Sequence, residues 1–156
     1  YDLQLDYTLN SGLHGLALAL PIAAAQCEVT FSAEGRHIDG IQQIHGQEVY
    51  KSLDGQMVLD DRNPTAREGV VFEPGEHSLL VSVRVQGESA RIDVSRDGEP
   101  QLTWNGKQAS LNLPPQSEHW LAMAAKRPGL AVFGSMITLN RVRGRLVTDS
   151  SVSPEP

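Results

Sequence analysis

His77-Ser78-Leu79-Leu80-Val81-Ser82-Val83-Arg84-Val85-Gln86-Gly87-Glu88-Ser89-Ala90-Arg91-Ile92-Asp93-Val94 decides the fold. Leu79, Val81, Val83 and Val85 recur at every second position, and Ala90, Ile92 and Val94 resume the pattern after Gln86-Gly87-Glu88. Side chains alternate across an extended chain, so each apolar set occupies one face of a strand. The stretch runs on to Leu113 through Asp97-Gly98 and Asn105-Gly106, two pairs that accept the positive φ demanded by tight hairpins between right-twisted strands. The spacing predicts four consecutive antiparallel strands.

The pattern extends toward both ends. Leu3, Leu5, Tyr7 and Leu9 alternate with Gln4, Asp6 and Thr8, and Asn10-Ser11-Gly12 supplies a turn. Leu16, Leu18 and Leu20 form a second strand, whose intervening alanines imply either a close-packed second face or a shallow one. A helix over Leu16 to Ala25 competes on alanine and leucine propensity, but Pro21 and the nearby Gly15 oppose it. Val29 and Phe31 mark a third strand. Gly35 to Gly69 reads as short strands joined by a long polar excursion from Asp60 to Glu68. After Leu113 come a Pro114-Pro115 loop, a helical turn or irregular piece from His119 to Lys126, and a short strand at Ala131-Val132-Phe133. The last strand, Ile137 to Val147, changes phase between Leu139 and Val142, which a bulge near Asn140 reconciles.

Ten to twelve strands joined by turns, without helical crossovers, predict an all-β fold: a two-sheet antiparallel sandwich. At 156 residues the chain suits one domain, over residues 1–147, with 148–156 as a flexible tail or linker. The composition, 40% hydrophobic and 21% charged, implies neither disorder nor a fibrous class. The longest apolar stretch, Leu13 to Ala25, is broken by His14, Gly15 and Pro21, short of the roughly 20 residues a membrane-spanning helix needs. The opening lacks a basic segment before an apolar one, so it does not read as a signal peptide. Nineteen acidic against 13 basic residues give a net charge of −6, which weighs against nucleic acid as a partner. Arg141, Arg143 and Arg145 are the local exception: on a strand they point one way, either ion-paired to the acidic surplus or free to meet phosphate. Cys27 stands alone, so no internal disulfide forms and the redox compartment is not readable.

The non-core face of the central strands carries Ser82, Arg84 and Gln86, then Ser89, Arg91, Asp93 and Ser95. Such a face either hydrogen-bonds a sugar or another polar ligand, or simply meets water. Trp104, beside Asn105, either stacks on a pyranose ring or fills the core, and Trp120 either plugs an end of the sandwich or lines a groove. The candidate ligand contacts are therefore Trp104, Asn105, Arg84, Arg91 and Asp93. The histidines His14, His37, His45, His77 and His119 show no metal-site spacing. His37 and Asp39 share a face if extended and would suit a base and its orienter, although a turn or edge explains them as well. Asp60, Asp61 and Asn63 offer oxygens without the glycine and terminal glutamate of a calcium loop. No paired carboxylates at alternate strand positions, no Gly-x-Ser-x-Gly and no phosphate-binding glycine loop are present, so no catalytic residue, metal ligand or cofactor is assigned.

Several stretches, taken in order, carry a resemblance: Tyr1-Asp2-Leu3, Leu18-Ala19-Leu20-Pro21, Gly40-Ile41, Asn63-Pro64-Thr65, Val94-Ser95-Arg96-Asp97-Gly98-Glu99-Pro100 before Leu102-Thr103-Trp104, and Leu130-Ala131-Val132-Phe133-Gly134 before Ile137 to Arg145. From Tyr1 to about Val147 the chain resembles a concanavalin A-like, laminin G-like domain of large bacterial secreted or envelope proteins, and is also similar to the 3-keto-disaccharide hydrolase domain family. The resemblance implies a jelly-roll sandwich with non-catalytic carbohydrate-recognition or accessory duty. It further implies a glycan and other domains of the same polypeptide as partners, and an extracytoplasmic or envelope location. A structural or protein-interaction domain is the alternative expectation. A glycoside hydrolase-like enzyme, drawing on His37, Asp39 or Glu48, is the third.

Overall fold

The structure is a computed structural model and describes residues 1–12, 15–23, 25–32, 37–69, 73–113 and 127–147. Fourteen strands are assigned among them: β1 (Asp2–Ser11), β2 (Leu16–Ile22), β3 (Ala25–Phe31), β4 (Ile38–Ile41), β5 (Gln43–Ile44), β6 (Gln47–Glu48), β7 (Tyr50–Leu53), β8 (Gln56–Leu59), β9 (Arg67–Glu68), β10 (Gly75–Gln86), β11 (Ser89–Arg96), β12 (Glu99–Lys107), β13 (Gly129–Val132) and β14 (Met136–Arg145). Two five-stranded sheets hold most of them, sheet I in the order β12-β11-β10-β1-β14 and sheet II in the order β13-β2-β3-β4-β9. Every pairing is antiparallel. One core cluster draws on both sheets, with Leu5, Tyr7, Leu79, Val81 and Ile92 from sheet I and Leu18, Leu20, Val29, Phe31 and Ile41 from sheet II. The molecule is a β-sandwich.

The period-two pattern sets this register. Leu5 lies opposite Leu79, Val81 opposite Val94 and Val83 opposite Ile92, so the apolar positions of β1, β10 and β11 stack on one face. In β2, Ala17 and Ala19 are buried along with Leu16, Leu18 and Leu20, so the second face of this strand is close-packed, which suits alanine. A smaller cluster, Ile38 and Val49 with Tyr50, Leu59 and Ala66, forms around β4, β7 and β8.

Turn chemistry locates the hairpins. Asp97 and Gly98 have φ of 54° and 85°, and Asp54-Gly55 and His45-Gly46 show the same sign at both positions. Two consecutive positive φ values are those of a hairpin turn whose twist matches its strands. Asn105-Gly106 behaves differently. Both residues lie inside β12, Gly106 pairs with Ala90, and the region from Gly75 to Lys107 is three strands rather than the expected four. The reason is the neighbouring tryptophan: a Cβ on Gly106 would stand 2.6 Å from Cζ2 of Trp104, so this glycine admits an indole rather than a turn. A 3-10 turn, Gln108–Ser110, follows, and Leu111 then bridges to Ile44.

The bulge expected in the last strand is present. Asp6 pairs with Arg141 and Tyr7 with Leu139, leaving Asn140 as the extra residue. Gly12, after β1, has φ of 101°, and a Cβ there would lie 2.5 Å from the Gly134 carbonyl oxygen and 2.6 Å from Cα of Ser135. Gly12→Ala is therefore expected to lower the unfolding free energy by about 1–3 kcal/mol, as backbone strain and a backbone clash combine. A urea melt that superimposes on that of the parent chain would refute this.

Candidate functional site

Four of the five sequence-predicted contacts come together on the outer face of sheet I. Arg84 lies directly opposite Arg91, which in turn lies opposite Asn105, while Asp93 lies opposite Ser82 and Thr103. Antiparallel pairing brings opposite side chains within about 5 Å at Cβ, so this is one surface rather than scattered positions. Arg91 donates through Nε to Asp93 Oδ2 at 2.7 Å and through Nη2 to Oδ1 at 3.0 Å, a two-point planar pair. Thr103 donates to the same carboxylate at 2.9 Å. Arg84 donates to Asp2 at 2.6 Å and to the Tyr1 carbonyl at 2.9 Å. A cleft of about 630 Å³ opens at this end of the sandwich, where Arg84, Arg91 and Asn105 of the outer face meet the inward-facing Val83, Val85 and Ala90 and, from sheet II, Pro21 and Ala23.

The same face continues across β1 to β14, where Arg145, Arg143 and Arg141 stand opposite Asp2, Gln4 and Asp6. Arg145 meets Asp2 at 2.5 Å and Arg141 meets Asp6 at 2.7 Å, so two members of the arginine stripe are ion-paired. Arg145, with Arg84 and Ser82, holds the Asp2 carboxyl well below its ordinary range. Hydrogen bonds from Gln4, Arg141 and Ser78 bring Asp6 down to about 2. Arg91, and after it Thr103, likewise lowers Asp93. These carboxylates are thus fixed as anions at neutral pH and suit hydrogen-bond acceptance rather than proton transfer. Arg84, Arg91, Lys107, Arg141, Arg143 and Arg145 face Asp2, Asp6, Glu76, Asp93 and Asp97 here, so this surface is rich in arginine and near charge balance in a chain whose net charge is −6.

Trp104 is not part of this surface. It is 7% exposed, lies opposite Ile92 and belongs to the main core cluster. Its side chain alternates to the inner face while Asn105 alternates to the outer one, so the reading of Trp104 as a stacking platform gives way to the core reading. Trp120, His14 and His119 fall outside the described residues, as do the His119 to Lys126 segment and residues 148–156.

A second polar group, at the end of the sandwich near β4 and β9, uses residues the sequence did not connect. Asp39 is 2% exposed; its Oδ1 accepts the Ser32 backbone N–H at 2.8 Å and its Oδ2 lies 3.7 Å from Arg67 Nη2. Arg67 donates to Gln101 on β12 at 2.7 Å, linking the two sheets. Burial pushes the Asp39 carboxyl up, against the Ser32 hydrogen bond and the charges of Arg67 and Arg96. Gly69 packs so closely over this carboxylate that a Cβ could not be accommodated. His37 and Asp39 are near in sequence, yet their side chains make no hydrogen bond with each other, and Nδ1 of His37 is buried without a hydrogen-bond partner. Glu48 pairs with Gln43 in a separate hairpin.

Two other titratable groups are held in structural roles. His77 contacts Asp97 through Nδ1 and the Glu73 carbonyl through Nε2, each at 2.8 Å, so both ring nitrogens are engaged within the fold. Asp60 binds Arg62 at 2.7 Å, while Asn63 spends its amide on the Ile41 and Gln47 carbonyls and its oxygen on Thr65. Among the described residues no group of three or more His, Cys, Asp or Glu is placed to hold a metal ion, and no helix is long and apolar enough to cross a membrane. Cys27 is buried, which pushes its thiol up and leaves it a poor nucleophile. Compared with known proteins, the chain matches no family model and no curated sequence.

Proposed function

We propose that this domain is a non-catalytic recognition module that binds a glycan bearing anionic groups on the outer face of sheet I. The observation that carries the reading is the juxtaposition of Arg84, Arg91 and Asn105 along one cleft, where the arginine-rich outer face of sheet I reaches the end of the sandwich. Guanidinium groups present planar donors that match carboxylate or sulfate oxygens, while Asn105, Ser82 and Thr103 supply neutral partners for hydroxyl groups. With Trp104 inside the core, recognition at this surface relies on hydrogen bonding and charge rather than ring stacking. The resemblance to concanavalin A-like and laminin G-like domains supports the same reading, and with it accessory duty beside other domains of an extracytoplasmic protein.

Affinity electrophoresis through uronate-containing, sulfated and neutral polysaccharides, with and without millimolar calcium, tests this. Retardation is expected in the anionic gels. Arg91→Ala and Arg84→Ala are each expected to weaken binding about tenfold or more, because a hydrogen bond to a charged group contributes about 1.5–3 kcal/mol. Unretarded migration in every anionic gel would overturn the proposal.

A further inference from the structure

We infer that the free edge of β14 is a docking site for an extended segment of alternating acidic and apolar residues, which adds to sheet I as a further antiparallel strand. β14 ends its sheet: one edge pairs with β1, and the other has no ladder partner among the described residues. A ten-residue strand with an open row of N–H and C=O groups is a template for another chain.

The side chains specify what that chain looks like. Leu139 and Val142 lie opposite Tyr7 and Leu5 and share their inward face, yet are 46% and 53% exposed while Tyr7 and Leu5 are buried. The inner side of β14 therefore reaches past the cover that β1 enjoys. An apolar groove of about 340 Å³, walled by Leu3, Pro21, Pro128 and Leu146, opens close by. The outer side of β14 is cationic through Arg141, Arg143 and Arg145. The occupied edge shows which pattern this strand accepts. β1 reads Asp2-Leu3-Gln4-Leu5-Asp6-Tyr7, with its acids opposite Arg145 and Arg141 and its apolar residues inward. Arg143 stands opposite Gln4 and has no ion pair among the described residues, so a cation is left for an incoming acid. A second copy of β14 fits poorly, because antiparallel self-pairing sets this arginine row against itself. A strand edge guarded only against aggregation would carry the charges without the exposed Leu139 and Val142.

The inference is independent of glycan binding, since it uses neither Arg84 nor Arg91. The probe is a fluorescein-labelled, end-capped peptide with the sequence of residues 2–9 carrying Gln4→Asp, which sets an acid opposite Arg143 in the register of β1, titrated against the whole chain by anisotropy. Saturable binding is expected. It should weaken about fivefold with Arg143→Glu in the protein or with the three aspartates of the peptide changed to asparagine, and about tenfold with Val142→Asp. A scrambled peptide of the same composition should not bind. Circular dichroism of the variants, both at exposed positions, verifies that they fold. Absence of binding to the parent chain, equal binding of the scrambled peptide, or a parent chain that sediments as a dimer and becomes monomeric with Val142→Asp would each overturn the inference.

Discussion

Trp104→Ala is expected to lower the unfolding free energy by about 3–5 kcal/mol, the cost of emptying a large aromatic site in a packed core. The indole lies among the apolar residues of both sheets, opposite Ile92, and its ring edge occupies the space that Gly106 leaves by having no side chain. Collapse into the vacated volume is restricted, because strands on either side are held in register by their ladder bonds. Trp104→Phe should cost less, since it keeps an aromatic ring and empties only part of the site. Asn105→Ala, one residue on but pointing outward, should stay within about 0.5 kcal/mol of the parent chain. Urea melts with a lowered midpoint and an unchanged slope would check all three. A Trp104→Ala protein with the parent midpoint and lost glycan binding would instead return the indole to the ligand surface.

That position also shows how much could be read from residue order alone. Alternation through Leu79, Val81, Val83, Ala90, Ile92 and Val94 located the core face correctly, because each of these strands packs one face and wets the other. The phase change between Leu139 and Val142 was enough to find the bulge at Asn140. Asn105-Gly106 misled because the pair has two uses. Glycine serves a turn through its free φ, or a close approach through its missing Cβ, and the sequence does not say which. Once β12 is seen to continue, parity does the rest: Leu102 and Trp104 are two apart on the inner side, so Asn105 lies outside.

The outer face was legible as a set, since Arg84, Arg91 and Asp93 follow from the same alternation, but its ion pairs were not. Which acid neutralises Arg145 depends on β14 lying beside β1, a contact between chain ends 143 residues apart. The Asp39 group was harder still. Its partners Ser32, Arg67 and Gln101 come from three segments of the chain, and their meeting depends on how the two sheets cross at one end. Gly69 was the available signal, a glycine two residues after Arg67 in a stretch without hairpin spacing, now explained by the carboxylate packed against it.

Asp39→Ala is expected to cost about 2–4 kcal/mol, because it leaves the Ser32 N–H without its acceptor and removes the carboxylate facing Arg67. Asp39→Asn should cost less, as its amide oxygen can still accept from Ser32. The pH dependence separates charge from shape. An unfolded aspartate ionises near about 3.9, whereas burial raises the folded value. Between the two the folded state binds more protons, so the contribution of Asp39 to stability falls as pH rises through that interval and stays reduced above it. Asp2, Asp6, Asp60 and Asp93 act with the opposite sign. Their folded values are lowered, so their stabilisation is present above the ordinary carboxylate range and is lost as pH falls through the folded values. Both variants retain that acid-side loss. Only Asp39→Asn, which is neutral at every pH and nearly the same shape, isolates the other slope. Its deficit relative to the parent chain should therefore shrink as pH rises from 4 to 7. A deficit that grows over this range would mean that the Arg67 and Arg96 charges outweigh burial and that Asp39 stabilises the fold as an anion.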